Sequence, residues 1–230
     1  MPSDRLKQVF KQEVSELHET GIAKGKENIV TEVKRAQGNR GPRFLLEGEG
    51  EKEFIRLNSN SYLGLGLHPE VIDAEEKASA QFGAGPGAVR FISGSYSAHR
   101  NLELELADFH DREASMIFSS AYATIISTIT SIVTKDTVVI SDELNHNCII
   151  NGTRMSSACG KVIYPHLDMD VLSSSLKEWA GKAKRALIIT DGIFSMRGDH
   201  APLDQIMEIA QEHDYMYEEN AVVLVDDSHG

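Results

Sequence analysis

The sequence predicts an α/β fold, a mostly parallel sheet flanked by helices. Three observations carry this expectation. From His68 onward, short apolar runs alternate with helical stretches, the rhythm of βαβ crossovers. Leu187-Ile-Ile189 and Val222-Val-Leu-Val225 are continuously apolar, as strands covered on both faces must be. A polar cluster follows run after run: Ser119-Ser-Ala-Tyr122, Asp142-Glu-Leu-Asn-His146, Asp191-Gly-Ile-Phe-Ser195 and Asp226-Asp-Ser-His229. Open parallel sheets bind ligands beyond the carboxyl ends of their strands, so these clusters mark one sheet edge as a site.

The elements are read in chain order. Residues 3–37 form a charged segment with Leu6, Phe10, Val14 and Leu17 at helical spacing, a thin stripe suited to an arm. Gly38-Asn-Arg-Gly-Pro42 ends it. Strands are expected at Arg43–Leu46 and Glu53–Leu57, joined by a turn at Glu47-Gly-Glu-Gly-Glu51. Pro69 suits the first position of a helix reaching Phe82. A glycine-rich loop covers 83–94, and a helix runs from Ala98 to His110. Strands are then expected at Ser115–Phe118, Thr137–Ser141, Lys161–Tyr164, Ala186–Thr190 and Ala221–Val225. Helices at 121–133, 146–157, 168–181 and 202–213 separate them. The domain reading is an arm and short hairpin over 1–57, then a ligand-binding domain over 58–230.

Composition narrows the function classes. With 41% hydrophobic and 25% charged residues the chain is ordinary globular material, not disordered or fibrous. The net charge of −12 argues against a broad nucleic-acid or anionic-membrane surface, both of which need clustered Lys and Arg. It leaves room for a local anion site, because helix N-termini hold phosphate without net positive charge. Cys148 and Cys159 are the two cysteines, read as free thiols of a reducing compartment. The charged N-terminus lacks an apolar signal region, and the apolar stretch 121–133 is too short to span a bilayer. A cytoplasmic location is expected.

Each candidate residue has a plain structural alternative. Ser119-Ser-Ala-Tyr-Ala-Thr124 either holds an anion on the first amides of a helix or is a simple serine cap. His146 either stacks on a flat ring or caps its helix. No metal is expected, since His146 and Cys148 lack further ligands at a recognisable spacing. Asp226 is the first polar residue after the most apolar strand, and burying its carboxylate costs several kcal/mol unless a cation or strong donors meet it. A protonated ring nitrogen is such a partner, and His229 lies three residues on. A Ser-His-Asp hydrolase is rejected because no G-x-S-x-G elbow occurs. Gly83-Ala-Gly-Pro-Gly-Ala88 fits a dinucleotide fingerprint formally, yet it follows a helix and Pro86 removes a donor.

From about Asn58 to Gly230 the chain resembles the α-oxoamine synthases, pyridoxal-phosphate enzymes of fold type I (aspartate aminotransferase-like). The motifs are Asn60-Ser-Tyr-Leu-Gly-Leu-Gly-Leu-His-Pro69, Gly87-Ala-Val-Arg-Phe-Ile-Ser-Gly94, Ser141-Asp-Glu-Leu-Asn-His146, Thr190-Asp-Gly-Ile-Phe-Ser-Met196 and Val225-Asp-Asp-Ser-His-Gly230. The 2-amino-3-ketobutyrate CoA ligase branch looks most similar, with the 8-amino-7-oxononanoate synthase branch close behind.

The resemblance implies that the backbone of Ala121 and Tyr122 holds the phosphate of pyridoxal 5'-phosphate and that His146 stacks on its ring. Asp226 pairs with the ring nitrogen, and His229 and Ser195 lie around the phenolic oxygen. Asn60 sits near the amino-acid substrate. Arg90 belongs to a family motif or to a structural ion pair. His146, Asp226 and His229 are the expected catalytic residues. The implied reaction joins a small amino acid, glycine first, to an acyl-CoA, giving an α-amino ketone, in a homodimer with shared active sites. The family's Schiff-base lysine lies beyond the Asp-x-x-His motif, and no lysine follows Lys184. The expectation is therefore a large domain cut before that lysine. A non-catalytic lysine-less partner subunit and another fold-type-I enzyme such as an aminotransferase remain open alternatives.

Overall fold

The computed structural model describes residues 3–230, which group into two compact units dividing between Gly83 and Ala84. The first unit begins with helix α1, Asp4–Glu19. Its stripe of Leu6, Phe10, Val14 and Leu17 is exposed. Strands β1 (Val30–Lys34), β2 (Arg43–Leu46) and β3 (Glu53–Phe54) form an antiparallel sheet in that order. The helical spacing of Leu6 to Leu17 is realised in α1, and the rest of the charged segment 3–37 is not helical. Val30–Lys34 pairs with β2 as a strand, with Val33 opposite Phe44, and Ile22 and the glycines Gly21 and Gly25 separate it from α1. In the turn to β3, Gly48 and Gly50 take positive φ of 81° and 60°, which the Gly-Glu-Gly sequence allows at no steric cost. Helix α2 spans Pro69–Phe82, with proline in its first turn.

The second unit opens with a glycine-rich loop and a single wide helical turn at Arg90–Gly94. Gly94 is obligatory there. A Cβ on it would collide with the Ala88 carbonyl oxygen. Helix α3 (Ser97–Phe109) follows, then α4 (Ala121–Ile132). Ser115–Phe118, expected as a strand, joins no sheet. Its polar groups turn instead to α3: Ile117 N–H donates to Glu103 Oε1 at 3.2 Å, and Ser115 Oγ donates to the Glu103 carbonyl at 2.7 Å.

Four parallel strands make the sheet of this unit: β4 (Thr137–Asp142), β5 (Gly160–Tyr164), β6 (Arg185–Asp191) and β7 (Ala221–Asp226), in the order β5-β4-β6-β7. Helices α5 (Asn147–Met155), α6 (Met169–Trp179) and α7 (Leu203–His213) connect them. The alternating side chains of β4 and β6 split the core in two. Val139, Leu187 and Ile189 pack with Ile125 and Ile129 of α4 and Ile149 of α5. Val138, Ile140, Ala186 and Ile188 pack with Leu172, Leu176, Ile206 and Ala210 of α6 and α7. Fully burying each such aliphatic side chain stabilises the fold by roughly 1.5–3 kcal/mol. Helices thus cover both faces. The chain runs outward from β4 to β5, returns across it to β6, and continues to β7. The strand order reverses between β4 and β6, the place where such sheets leave a crevice at their carboxyl edge.

Candidate functional site

At that reversal Asn145 is buried and bridges the two strands. Its Nδ2 donates to Ser141 Oγ and to the Ile189 carbonyl, both at 2.8 Å, and its Oδ1 accepts from Asp191 N–H at 2.9 Å. The next residue, His146, caps α5: Nδ1 accepts from Cys148 N–H at 3.3 Å and lies 2.9 Å from Cys148 Sγ. His146 main-chain N–H donates to Asp191 Oδ2 at 3.0 Å, which fixes the exposed imidazole over the edge.

Asp226 ends β7 directly beside Asp191, its register partner on β6, and only 7% of it is exposed. Its Oδ1 accepts from Ser228 Oγ at 2.6 Å and Ser228 N–H at 3.3 Å, while Oδ2 accepts from the Cys148 thiol at 3.4 Å. Two carboxylates on adjacent strand ends repel, and burial disfavours their charge. Burial and then Asp226 push Asp191 up to about 6, with the His146 N–H bond pulling the other way. Burial and the same Asp226 charge raise the Cys148 thiol to about 12, so it is a neutral donor at physiological pH. His229 is half-buried three residues beyond Asp226, and its charge eases Asp191 downward.

The opposite end of the site is the start of α4. Ser120 caps it, accepting from Ala123 N–H at 3.1 Å, so the serine-cap reading holds. The amides of Ala121 and Tyr122 precede the first that can close an intrahelical bond, and they carry the positive end of the helix dipole. Tyr122 fixes this end relative to α5: its hydroxyl accepts from Asn151 Nδ2 at 2.8 Å and donates to Asn147 Oδ1 at 3.4 Å. Helix α5 starts at the carboxyl end of β4, so the first turn of α4 lies on the edge that carries His146 and Asp226. Ser195, exposed, lines a cavity of about 340 Å³ together with His146, Asn147, Phe194 and Arg197.

Asn60 belongs to the first unit, exposed in the loop between β3 and α2. Arg90 makes the ion pair: its guanidinium grips Glu103 with two bonds of 2.6 and 3.1 Å and holds that carboxyl near 2. Sequence reasoning gave no role to Asn145, Cys148 or Asp191. Asp191 carries the same signal as Asp226, a first acidic residue after an apolar strand. Asn145 and Cys148 carry none, because their partners lie 44 and 78 residues away.

Residues 52–230 match the family model for aminotransferase class I and II. An 8-amino-7-oxononanoate synthase 1 from Bacillus velezensis is 43% identical over 209 residues, covering 90% of this chain and 51% of that one. An 8-amino-7-oxononanoate synthase from Alkaliphilus metalliredigens is 39% identical, covering 97% of this chain and 52% of that one. A serine palmitoyltransferase from S. paucimobilis, solved with a PLP–myriocin aldimine bound, superposes with a TM-score of 0.79 at 26% identity, over 97% of this chain and 51% of that one. The chain spans about half the length of the curated relatives it matches. Among the described residues no helix is long and apolar enough to cross a membrane.

Proposed function

From a chain that belongs to the aminotransferase class I and II family, we propose the cofactor-binding half of a pyridoxal-phosphate-dependent acyltransferase of the α-oxoamine synthase type. One observation carries the reading. A buried carboxylate, Asp226, ends the last strand on the edge where the first amides of α4 and the imidazole of His146 also lie. The donor set fits the cofactor: a carboxylate for a protonated ring nitrogen, a helix N-terminus for a phosphate, and a flat imidazole for a ring face. Bound there, pyridoxal 5'-phosphate supplies an electron sink for charge developing on the substrate's α-carbon.

The residues divide the work. Asp226 keeps the ring nitrogen protonated, and Ser228 and Cys148 orient its carboxylate. Ala121 and Tyr122 hold the phosphate through their amides, while Tyr122's hydroxyl braces that loop against α5. Asp191 fixes the main chain of His146, and so the plane of its imidazole. His229 and Ser195 serve the phenolic oxygen and its surroundings, and Asn60 the carboxylate side of the amino acid. The substrates are a small amino acid and an acyl-CoA, joined in a cytoplasmic homodimer. The motifs favour glycine. The names of the relatives favour alanine, because an 8-amino-7-oxo product of nine carbons keeps one carbon beyond the amine.

Two measurements test this. Pyridoxal phosphate added to the chain should acquire induced circular dichroism that saturates, and Asp226→Asn should weaken that binding. Absence of the signal in the parent chain overturns the proposal. A preparation that also carries the Schiff-base lysine should release CoA thiol from an acyl-CoA when glycine or alanine is added. Amino transfer to a keto acid without thiol release would place the protein among the aminotransferases instead.

A further inference from the structure

The floor of the site holds a second arrangement. We propose that His146, Cys148 and Asp226 form a binding site for a thiophilic divalent cation such as zinc, and that this cation and the cofactor exclude one another. The exclusion clause rests on the cofactor reading above; the metal site itself does not.

The donor atoms of the three residues all lie within 4.8 Å of one another. His146 Nδ1 is 2.9 Å from Cys148 Sγ, and Cys148 Sγ is 3.4 Å from Asp226 Oδ2. Tetrahedral zinc, with bonds of about 2.0–2.3 Å, sets ligand–ligand edges of ~3.5 Å, so the Cys148–Asp226 edge already fits, and shifts of about an ångström of the exposed imidazole complete the coordination shell. Cys148 and Asp226 are buried and held by α5 and β7. His146 is exposed, leaving the fourth position open to water. A mixed nitrogen, sulfur and oxygen set selects zinc or cobalt over magnesium or calcium. Support is already in place. Ser228 donates to Asp226 Oδ1 and leaves Oδ2 for the metal, and Asp191 anchors the main chain of His146.

The charge balances. On binding, the Cys148 thiol loses its proton to solvent, and a dication then faces one thiolate and one carboxylate, a net of zero in a buried floor. The imidazole coordinates as the neutral base, giving up the Cys148 N–H bond to Nδ1. A cation on Oδ2 also neutralises the charge that a protonated ring nitrogen needs, which is why only one guest fits. His146-x-Cys148 alone gives no such signal in the sequence, because the third ligand sits 78 residues from Cys148.

The test uses the chain freed of cofactor and titrated with Co²⁺. The expected result is a thiolate-to-cobalt charge-transfer band that saturates at one equivalent, disappears on zinc addition, survives Cys159→Ser and is lost in Cys148→Ser. Saturating pyridoxal phosphate beforehand should weaken cobalt binding at least ten-fold, and zinc should weaken cofactor binding, read by induced circular dichroism, at least ten-fold. Should Cys148→Ser not fold, His146→Ala alters an exposed side chain and should weaken cobalt binding at least ten-fold. No band, or a band indifferent to Cys148→Ser or His146→Ala, overturns the site. Simultaneous binding of cobalt and cofactor overturns the exclusion. A band in a chain that never binds pyridoxal phosphate leaves the metal site standing and removes the cofactor reading.

Discussion

Two acidic residues end β4 and β7 on the same sheet edge, on either side of β6, and they are treated in opposite ways. Asp142, at the end of β4, is saturated with donors. Leu144 N–H and Leu167 N–H donate to its two oxygens at 2.9 and 3.0 Å, and His166 Nδ1 lies 2.9 Å from Oδ1. His166 in turn packs edge-on against Phe194 and reaches Asp199, so this cluster ties the β4, β5 and β6 loops together. Asp226, at the end of β7, is met by a serine and a thiol. The first carboxylate is spent on the fold, and the second keeps capacity for a guest. Sequence position does not separate them. Partner chemistry does.

That contrast can be broken experimentally. The largest effect is expected at Asp142→Ala, which strands two backbone donors and His166 in the interior and should cost about 3–5 kcal/mol of stability by denaturant unfolding. A small cost there would show that the saturated cluster is not structural. Asp226→Asn comes next and acts on a different quantity. It should weaken pyridoxal-phosphate binding about ten- to hundred-fold, the worth of a charge-assisted bond of roughly 1.5–3 kcal/mol, while the unfolding midpoint barely moves. A large loss of stability instead would make Asp226 a second Asp142.

Asp191 lies between the two cases, and its sign follows from its pKa. A carboxyl whose folded value of about 6 exceeds its unfolded value is penalised when ionised. The fold carries no penalty below the unfolded value, near ~4, and the full one above about 6. Asp191→Asn should therefore stabilise the chain by about 3 kcal/mol at pH 8 and by almost nothing at pH 3. Thermal melts across that range decide it, and a pH-independent difference would contradict the penalty that burial and Asp226 place on the ionised carboxyl. The smallest effect is expected at Ser228→Ala, which removes one donor from Asp226 and should weaken cofactor binding by about 1 kcal/mol, roughly five-fold.

The strands and helices of the second unit were legible because their patterns are local. Pro69 marks a helix start, and Leu187–Ile189 marks a buried strand, whatever surrounds them. Val30–Lys34 was missed because its charged residues at 32 and 34 continue a charged segment, and only pairing with Phe44 makes it a strand. Ser115–Phe118 misled for the reverse reason: an apolar run is a strand only if a neighbour takes its amides, and Glu103 takes that of Ile117. The site divides similarly. His146 and Asp226 could be read from their places after strands, whereas the links through Cys148, Asn145 and Asp191 exist only once the strands lie side by side.

The bridge at Asn145 has one more consequence. Its carboxamide is a peptide group in miniature, with one face that donates and one that accepts, and it meets β6 as a strand residue would, giving to Ile189 and receiving from Asp191. The ladder between β4 and β6 ends at Ser141 and Ile189. Asn145 adds a rung above it with no main chain of its own, so β4 can peel away toward α5 while β6 continues with its groups satisfied. The crevice opens at the height of that borrowed rung. A side chain lacking either face, such as leucine or aspartate, would not only lose a bond; it would lower the roofline of the sheet on which the whole edge is built.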